Sequence, residues 1–210
     1  MIKSCFLILT LLSVSFTTQA RDSLAALRND LNAAVTKLQD QQDQITALQT
    51  QVDSLTPDIY AIGDTGPAGG IVFYITDAGA HGLEAAPEDQ GVAQWGCFGQ
   101  SITGADGTAI GTGAQNTADI LAGCTEAGIA AQLATDYAWP NGQTDGYLPS
   151  KDELNVLYQQ RAVVGGFALY YYWSSSESAS SSAWYQYFLS GNQANAMKYN
   201  TLRVRAVRAF

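Results

Sequence analysis

Several short stretches of this chain carry residue types that catalysis and ligand binding use. Asp64-Thr65-Gly66 matches the aspartic-protease triplet, whose chemistry needs two carboxylates sharing one proton. A single copy is present, Pro67 follows directly and no apolar strand precedes the aspartate, so the triplet reads as a turn. His81, in Ala80-His81-Gly82, is the only histidine; without a serine or cysteine in the partner arrangement of nucleophilic catalysis, it reads as a loop residue. Ser174-Ser175-Ser176-Glu177 has the composition of a nucleophile cluster. With no base or lysine at a working spacing, its hydroxyls are expected to make turn and strand hydrogen bonds. Glu84, Glu88 and Asp89 offer the oxygen ligands that calcium takes, without the spacing of a calcium loop. No catalytic residue, metal or cofactor is expected.

The composition of a binding surface lies at the C-terminus. Tyr172-Trp173-Ser174-Ser175-Ser176-Glu177 opens this stretch and Arg203-Val204-Arg205-Ala206-Val207-Arg208-Ala209-Phe210 closes it, with Ser, Ala, Tyr, Leu and Asn residues between. Tyr and Trp give rigid contact area at small entropic cost, while Ser, Gly and Asn give adaptable hydrogen bonding, as in antibody loops. Trp173, Trp184 and Phe188 are expected in the frame, and Tyr185, Tyr187 and Tyr199 are expected to stack on a sugar ring or a partner side chain. In an extended strand Arg203 and Arg205 share one face, opposite Leu202, Val204 and Ala206. Lys198, Arg203 and Arg205 thereby form a candidate anion-binding strip. Their alternative use is pairing with framework acids such as Glu177.

Bulk charge narrows the partners. Ten basic residues against 19 acidic ones leave a formal charge of −9 and a pI near 4.3, the opposite of the basic face that nucleic-acid binders present. The first residues point to export: Met1-Ile2-Lys3 is a short positive start, residues 5–16 are mostly apolar, and Thr18-Gln19-Ala20 fits a small-residue cleavage site. The apolar run is shorter than the roughly 18 residues that mark a membrane span. Beyond residue 20 the cysteines are Cys97 and Cys124. An even pair in an exported chain is most simply a disulfide, contributing about 3 kcal/mol for a loop of this length; no C-x-x-C is present, and one histidine is too few for a zinc site.

These segments need elements to hold them. Leu24, Leu31, Leu38, Ile45 and Val52 occupy one heptad position and Leu27, Ala34, Gln41, Leu48 and Leu55 the other, which predicts a coiled-coil helix about 48 Å long at 1.5 Å per residue. Gln41 is a polar residue in that seam, of the kind that fixes register. Pro57 is expected to end the helix. Ile71-Val72-Phe73-Tyr74-Ile75 reads as a strand after a turn-rich start, with Leu83–Ala86 and Gln94–Phe98 as short strand or core segments. Asn116 is expected to cap a helix running to about Cys124, with Glu126 to Tyr137 as its continuation or a second helix. Ser150-Lys151-Asp152-Glu153 is a capping box ahead of Leu154, Leu157 and Tyr158, predicting a helix from 151 to about 161. Alternating aromatic strands then run to Phe210. Strand, helices and then a run of strands is an α+β order.

Across about residues 60–210 several motifs occur together: Gly63-Asp64-Thr65-Gly66-Pro67-Ala68-Gly69-Gly70-Ile71-Val72-Phe73-Tyr74, Trp95-Gly96-Cys97, Gly123-Cys124, Leu148-Pro149-Ser150-Lys151-Asp152-Glu153-Leu154, Tyr172-Trp173-Ser174-Ser175-Ser176-Glu177 and Arg203-Val204-Arg205-Ala206-Val207-Arg208. In this order they resemble the C-terminal domain family of the Legionella collagen-like adhesin. The resemblance implies a C-type-lectin-like fold and an exposed, often trimeric adhesin that engages host surfaces or glycosaminoglycans, here on a coiled coil in place of a collagen stalk. Gly146 departs from the pattern, standing where a Trp commonly precedes the Leu-Pro motif. The C-terminal frame is also similar to variable proteins diversified by retroelements. That similarity implies ligand-facing positions at Tyr170, Ala179, Ser180, Ser181, Tyr185, Tyr187, Leu189, Ser190, Ala194, Ala196 and Tyr199, with Met197 an exception. Formylglycine-generating enzymes share the fold, but their chemistry needs active cysteines, and a disulfide between Cys97 and Cys124 leaves none.

The expected organisation is a signal peptide over residues 1–20, a coiled-coil stalk over 21–56 and a C-type-lectin-like binding domain over 57–210. The expected function is binding a host or bacterial cell-surface protein or glycan, including sulfated glycosaminoglycan, by a homo-oligomer in which the resemblance favours a trimer. The alternative is a non-catalytic cell-envelope spacer whose head caps an oligomeric stalk.

Overall fold

The computed structural model describes residues 2–55 and 58–210, with side chains from 18 to 52 and from 58 onward. Two units are present, Met1–Pro57 and Asp58–Phe210. The first is one helix, α1 (Ile2–Leu55). Leu24, Leu27, Leu31, Leu38, Ile45, Leu48 and Val52 each leave more than half their surface exposed, so the described part of the seam is an apolar stripe along the helix. Pro57, the expected helix stop, lies outside the described residues, as do the side chains of residues 1–17 and of Leu55. Among the described residues no helix is long and apolar enough to cross a membrane.

The second unit is mixed α and β, in the predicted order. Its elements are β1 (Ile71–Thr76), β2 (His81–Ala85), β3 (Gly91–Gln94), α2 (Gly113–Gly123), α3 (Ala130–Thr135), α4 (Lys151–Gln159), α5 (Arg161–Val164), β4 (Tyr171–Ala179), β5 (Ser182–Tyr187), β6 (Gln193–Met197), β7 (Thr201–Val204) and β8 (Val207–Ala209). They build a three-stranded sheet, β1-β2-β8, and a five-stranded sheet, β3-β7-β4-β5-β6.

Polar groups lock the small sheet in place. Gly63 N–H donates to Val72 O and Val72 N–H to Asp64 O, while Asp64 Oδ2 accepts from Ala61 N–H at 2.7 Å. Asp64-Thr65-Gly66 is therefore the turn that covers the outer edge of β1. His81 is not in a loop; it opens β2 opposite Thr76, with its side chain exposed. Glu84, fully buried on β2, accepts from Ala68 N–H at 3.0 Å, Gly70 N–H at 2.9 Å and Arg208 at 3.0 Å. That carboxylate serves to hold a turn and a strand.

Among the helices the capping box forms as read: Ser150 Oγ accepts from Glu153 N–H and Glu153 accepts from Ser150 N–H. Glu153 also reaches outside its own helix to accept from Gly111 N–H at 2.7 Å. A Cβ on Gly113 would stand 2.2 Å from Glu153 Oε2, so the glycine lets the carboxylate reach the start of α2. Burial pushes the Glu153 carboxyl upward in pKa, against the pull of the Ser150, Gly111 and Gly113 N–H groups. Helix α4 stops at Gln159, short of the expected 161, and α5 follows as a separate turn. Asn116 is not a cap. It lies inside α2, where its buried amide donates to Gly107 O at 2.6 Å and Ser175 Oγ at 3.3 Å. The helix expected over 126–137 shortens to α3, because Cys124 is extended and Gly128 has φ +73°.

Strand β4 separates two apolar clusters. Successive strand residues point to opposite faces, and Trp173 joins Trp95, Ile120, Trp139 and Leu148 while Tyr172 joins Phe73, Leu154, Leu157 and Phe188. Cys97 and Cys124 form the expected disulfide beside the first cluster, with 5.7 Å between Cα atoms. At Gly146 a Cβ would meet Trp139 Nε1 at 2.6 Å, so the indole of Trp139 fills the space that this glycine leaves.

Candidate functional site

The frame of the C-terminal surface is made of buried ion pairs. Lys198 is fully buried; its Nζ bonds to Glu177 and to Gln100 O and lies 4.4 Å over the Trp95 ring. Glu177 also accepts from Ile102 N–H at 3.1 Å. Arg205, 1% exposed, donates from Nε to Asp89 Oδ1 at 2.8 Å, from Nη1 to Ala86 O at 2.8 Å and from Nη2 to Gly166 O at 2.6 Å, with its guanidinium 4.0 Å from the Phe167 ring. Arg203 reaches the other Asp89 oxygen at 3.1 Å, and Arg208 pairs with Glu84 and Asp145.

The anion-binding strip is corrected accordingly. Lys198 and Arg205 are desolvated and fully engaged, as a buried cation has to be, so neither faces a ligand. Arg203 alone keeps a third of its side chain exposed, at 33%. Asp89 is likewise occupied: besides both arginines it accepts from the Tyr172 hydroxyl at 2.8 Å, which itself accepts from Ala168 N–H. Burial, followed by that bond to Asp89, pushes the Tyr172 phenol up to about 12.

The three serines of β4 also belong to the frame. Ser174 Oγ donates to Trp184 O at 2.9 Å, Ser175 Oγ meets the Asn116 amide, and Ser176 Oγ donates to Gly107 O at 2.6 Å while accepting from Lys151 N–H at 3.0 Å. All three are buried. Each hydroxyl has a structural partner.

The exposed surface centres on Tyr171. Its ring lies 5.1 Å from that of Tyr185 and 4.4 Å from that of Tyr187. A shallow hollow of about 230 Å³ on one side is lined by Val92, Tyr170, Tyr171, Thr201, Leu202 and Arg203. A second, of about 340 Å³, is lined by Tyr171, Tyr185, Ala196, Asn200, Thr201 and Leu202. Tyr171, Thr201 and Leu202 line both, and Arg203 stacks over Tyr170 at 5.5 Å. The arrangement offers ring faces and edges, the adjacent, partly exposed Arg203 side chain and uncharged polar groups, which suits a flat apolar or sugar-like surface.

The eleven expected ligand positions do not form one patch. Tyr170, Tyr185, Tyr187, Ala194 and Ala196 gather around Tyr171, with Tyr185 and Ala196 also packing on the first apolar cluster. Leu189 and Ser190 are exposed in the β5–β6 turn, at the same end of the sheet, where Phe188 N–H donates to Tyr170 O. Ala179 ends β4, Ser180 and Ser181 form the β4–β5 turn, whose carbonyls accept from Gly99 and Lys198 N–H groups, and Tyr199 packs edgewise on Phe98 at 4.9 Å. Nine residues of β4 put about 26 Å between the two ends at ~3.3 Å per residue. Trp173 and Phe188 are buried, and Trp184 lies under Lys151 at 4.9 Å. Sequence reasoning missed Tyr171, Val92, Asn200, Thr201 and Leu202. The signal for Tyr171 was present: three consecutive tyrosines, 170–172, cannot all point inward from an alternating strand. No protein-family model matches this chain, and no curated protein does either.

Proposed function

We propose that this chain is an exported or surface-exposed binding protein, an adhesin, that presents a tyrosine-rich face on a C-type-lectin-like head carried by a coiled-coil stalk. The observation that carries the reading is the exposed Tyr171–Tyr185–Tyr187 cluster, set on a sheet whose charged groups are paired inside. A rigid frame with exposed tyrosines loses little entropy on binding. Three further features support it: the motif resemblance over residues 60–210, the apolar residues 5–16 behind a basic start, and the apolar leucine seam of α1, which fits packing against copies of itself. The partner is a cell-surface protein or glycan, and the oligomer is a trimer by resemblance. Diversification by a retroelement is part of the proposal and predicts sequence differences among isolates at the eleven positions.

The test compares the full chain with its Tyr171→Ala and Tyr187→Ala variants for binding to whole cells and to glycan and protein arrays, with melting temperature measured in parallel. Binding lost at an unchanged melting temperature is the expected result. Binding that persists in both variants favours the spacer reading, in which the head only caps the stalk. Sedimentation of the full chain and of Leu31→Lys reads the oligomer directly; a monomer in both cases removes the stalk.

A further inference from the structure

Strand β6 is the last in the five-stranded sheet, and its outer edge is open. Its pairing register with β5 runs from Ser182↔Met197 to Gln186↔Gln193 without a shift. Just beyond the two ends, Tyr187 N–H donates to Asn192 O at 2.8 Å and Lys198 N–H to Ser181 O at 3.0 Å. Hydrogen-bonded and non-bonded pairs alternate along an antiparallel ladder, so both observations give the same phase: Ala194 and Ala196 turn their backbone groups toward β5, while Gln193, Asn195 and Met197 turn theirs outward. The Met197 carbonyl accepts from Asn200 N–H at 2.8 Å. Among the described residues no backbone bond takes up the N–H and C=O of Gln193 and Asn195 or the N–H of Met197. The edges of the other sheet are closed, β1 by the Gly63–Asp64 turn and β8 by reciprocal bonds between Tyr147 and Val207. β6 carries no charge, no proline and no bulge, the devices by which an edge strand is shielded from pairing.

We propose that this edge is a docking site for an extended, uncharged polypeptide segment of a partner protein, added as a sixth strand outside β6. The inference rests on the binding role proposed above and narrows its ligand from protein or glycan to protein. The chemistry selects the occupant, because outward N–H and C=O groups repeating every second residue, about 6.8 Å apart, match another extended backbone. The side chains specify more. Ala194 pairs with Tyr185 in register, and Ala196 lines the hollow that Tyr171 and Tyr185 share. Two alanines leave that side of β6 low, so every second side chain of the incoming strand lies over them and reaches the tyrosines; large apolar or aromatic residues fill that space. β6 supplies no charged side chain to pair a charge on the incoming strand.

The experiment uses the full chain and a panel of synthetic peptides of about ten residues, with tyrosine, phenylalanine or leucine alternating with threonine and lysines at both ends for solubility. In the free protein the amides of Asn195 and Met197 should exchange fast and those of Ala194 and Ala196 slowly. At least one peptide should bind, and binding should protect Asn195 and Met197. Asn195→Pro removes only an outward N–H, so it should weaken binding at least about tenfold and keep the melting temperature. Protected Asn195 and Met197 amides in the free chain, no bound peptide, or unchanged binding by Asn195→Pro each overturn the proposal. Self-association abolished by Asn195→Pro without peptide binding overturns it in favour of a second copy. If Asn195→Pro lowers the melting temperature, the exchange pattern of the unaltered chain in the presence of peptide decides. Loss of cell binding in Tyr171→Ala but not in Asn195→Pro leaves the tyrosine face standing and removes the edge; the reverse result removes the face and keeps the edge.

Discussion

The two halves of β4 invert the usual relation between polarity and burial. At its start Tyr171 leaves 39% of its surface exposed, whereas Ser174, Ser175 and Ser176 further along are at most 1% exposed. The serines are inside because each finds a fixed partner: Trp184 O, the Asn116 amide, Gly107 O and Lys151 N–H. Tyr171 remains outside because its ring neighbours, Tyr185 and Tyr187, are themselves only partly covered. Satisfied polar groups build the frame of this sheet, and aromatic groups build its surface. Stability and recognition should therefore respond to different residues of a single strand.

The largest expected effect comes from beneath the tyrosine end. Asp89→Ala leaves the buried Arg205 without its counter-ion and the Tyr172 hydroxyl without its acceptor, and removing one side of a buried pair costs about 3–5 kcal/mol. Urea unfolding of the full chain measures it. A loss under about 1 kcal/mol would mean that this cluster is hydrated and that the frame is not built as described. At the serine end, Ser176→Ala strands the Lys151 N–H and leaves the Gly107 carbonyl with the Asn116 amide as its donor, which should cost about 1–3 kcal/mol while ligand binding per folded molecule stays unchanged.

Tyr172 stands between the two regimes, an aromatic residue used for its hydroxyl. Its phenol pKa is raised from 10.0 to about 12, by burial first and by the bond to Asp89 next. A phenol raised on folding keeps its full stabilising contribution below the unfolded value. That contribution is lost as pH climbs between the two values, because the unfolded chain gives up the proton first. The denaturant midpoint of the wild type should therefore fall faster than that of Tyr172→Phe as pH rises from about 10 to about 12. Parallel curves would place the phenol in contact with water. The smallest stability effect should be that of Tyr171→Ala, about 0.5–1 kcal/mol, the range for partly exposed sites, together with loss of ligand binding. Equal destabilisation by Tyr171→Ala and Ser176→Ala would erase the contrast along β4.

Local signals read well. The capping box of Ser150 and Glu153 closes over three residues, the α1 seam repeats within seven, and both appear where the pattern put them. Asn116 shows the limit: a residue type that caps helices instead sits inside one, because Gly107 and Ser175 supply its amide with better partners. The candidate site was half legible. Tyr185, Tyr187, Tyr170, Ala194 and Ala196 do converge, but the residue they converge on, Tyr171, adjoins the buried Tyr172-Trp173 pair and is marked only by the alternation of three consecutive tyrosines. Lys198 and Arg205 looked like a surface strip on alternation alone, and both are buried.

What the sequence determined by itself is what neighbouring residues decide together: the long helix with its apolar stripe, the capped α4, the order of strand, helices and strands, and a cysteine pair suited to a disulfide. What only the tertiary structure decided is which polar groups are inside, which rings are outside and which sheet edge is left open. Those outcomes depend on partners far along the chain. Arg205 meets Asp89 across 116 residues and the Trp95 indole meets Ser174 O across 79. The free energy of burying a charge or a hydroxyl changes sign with the presence of such a partner, and no local pattern records it.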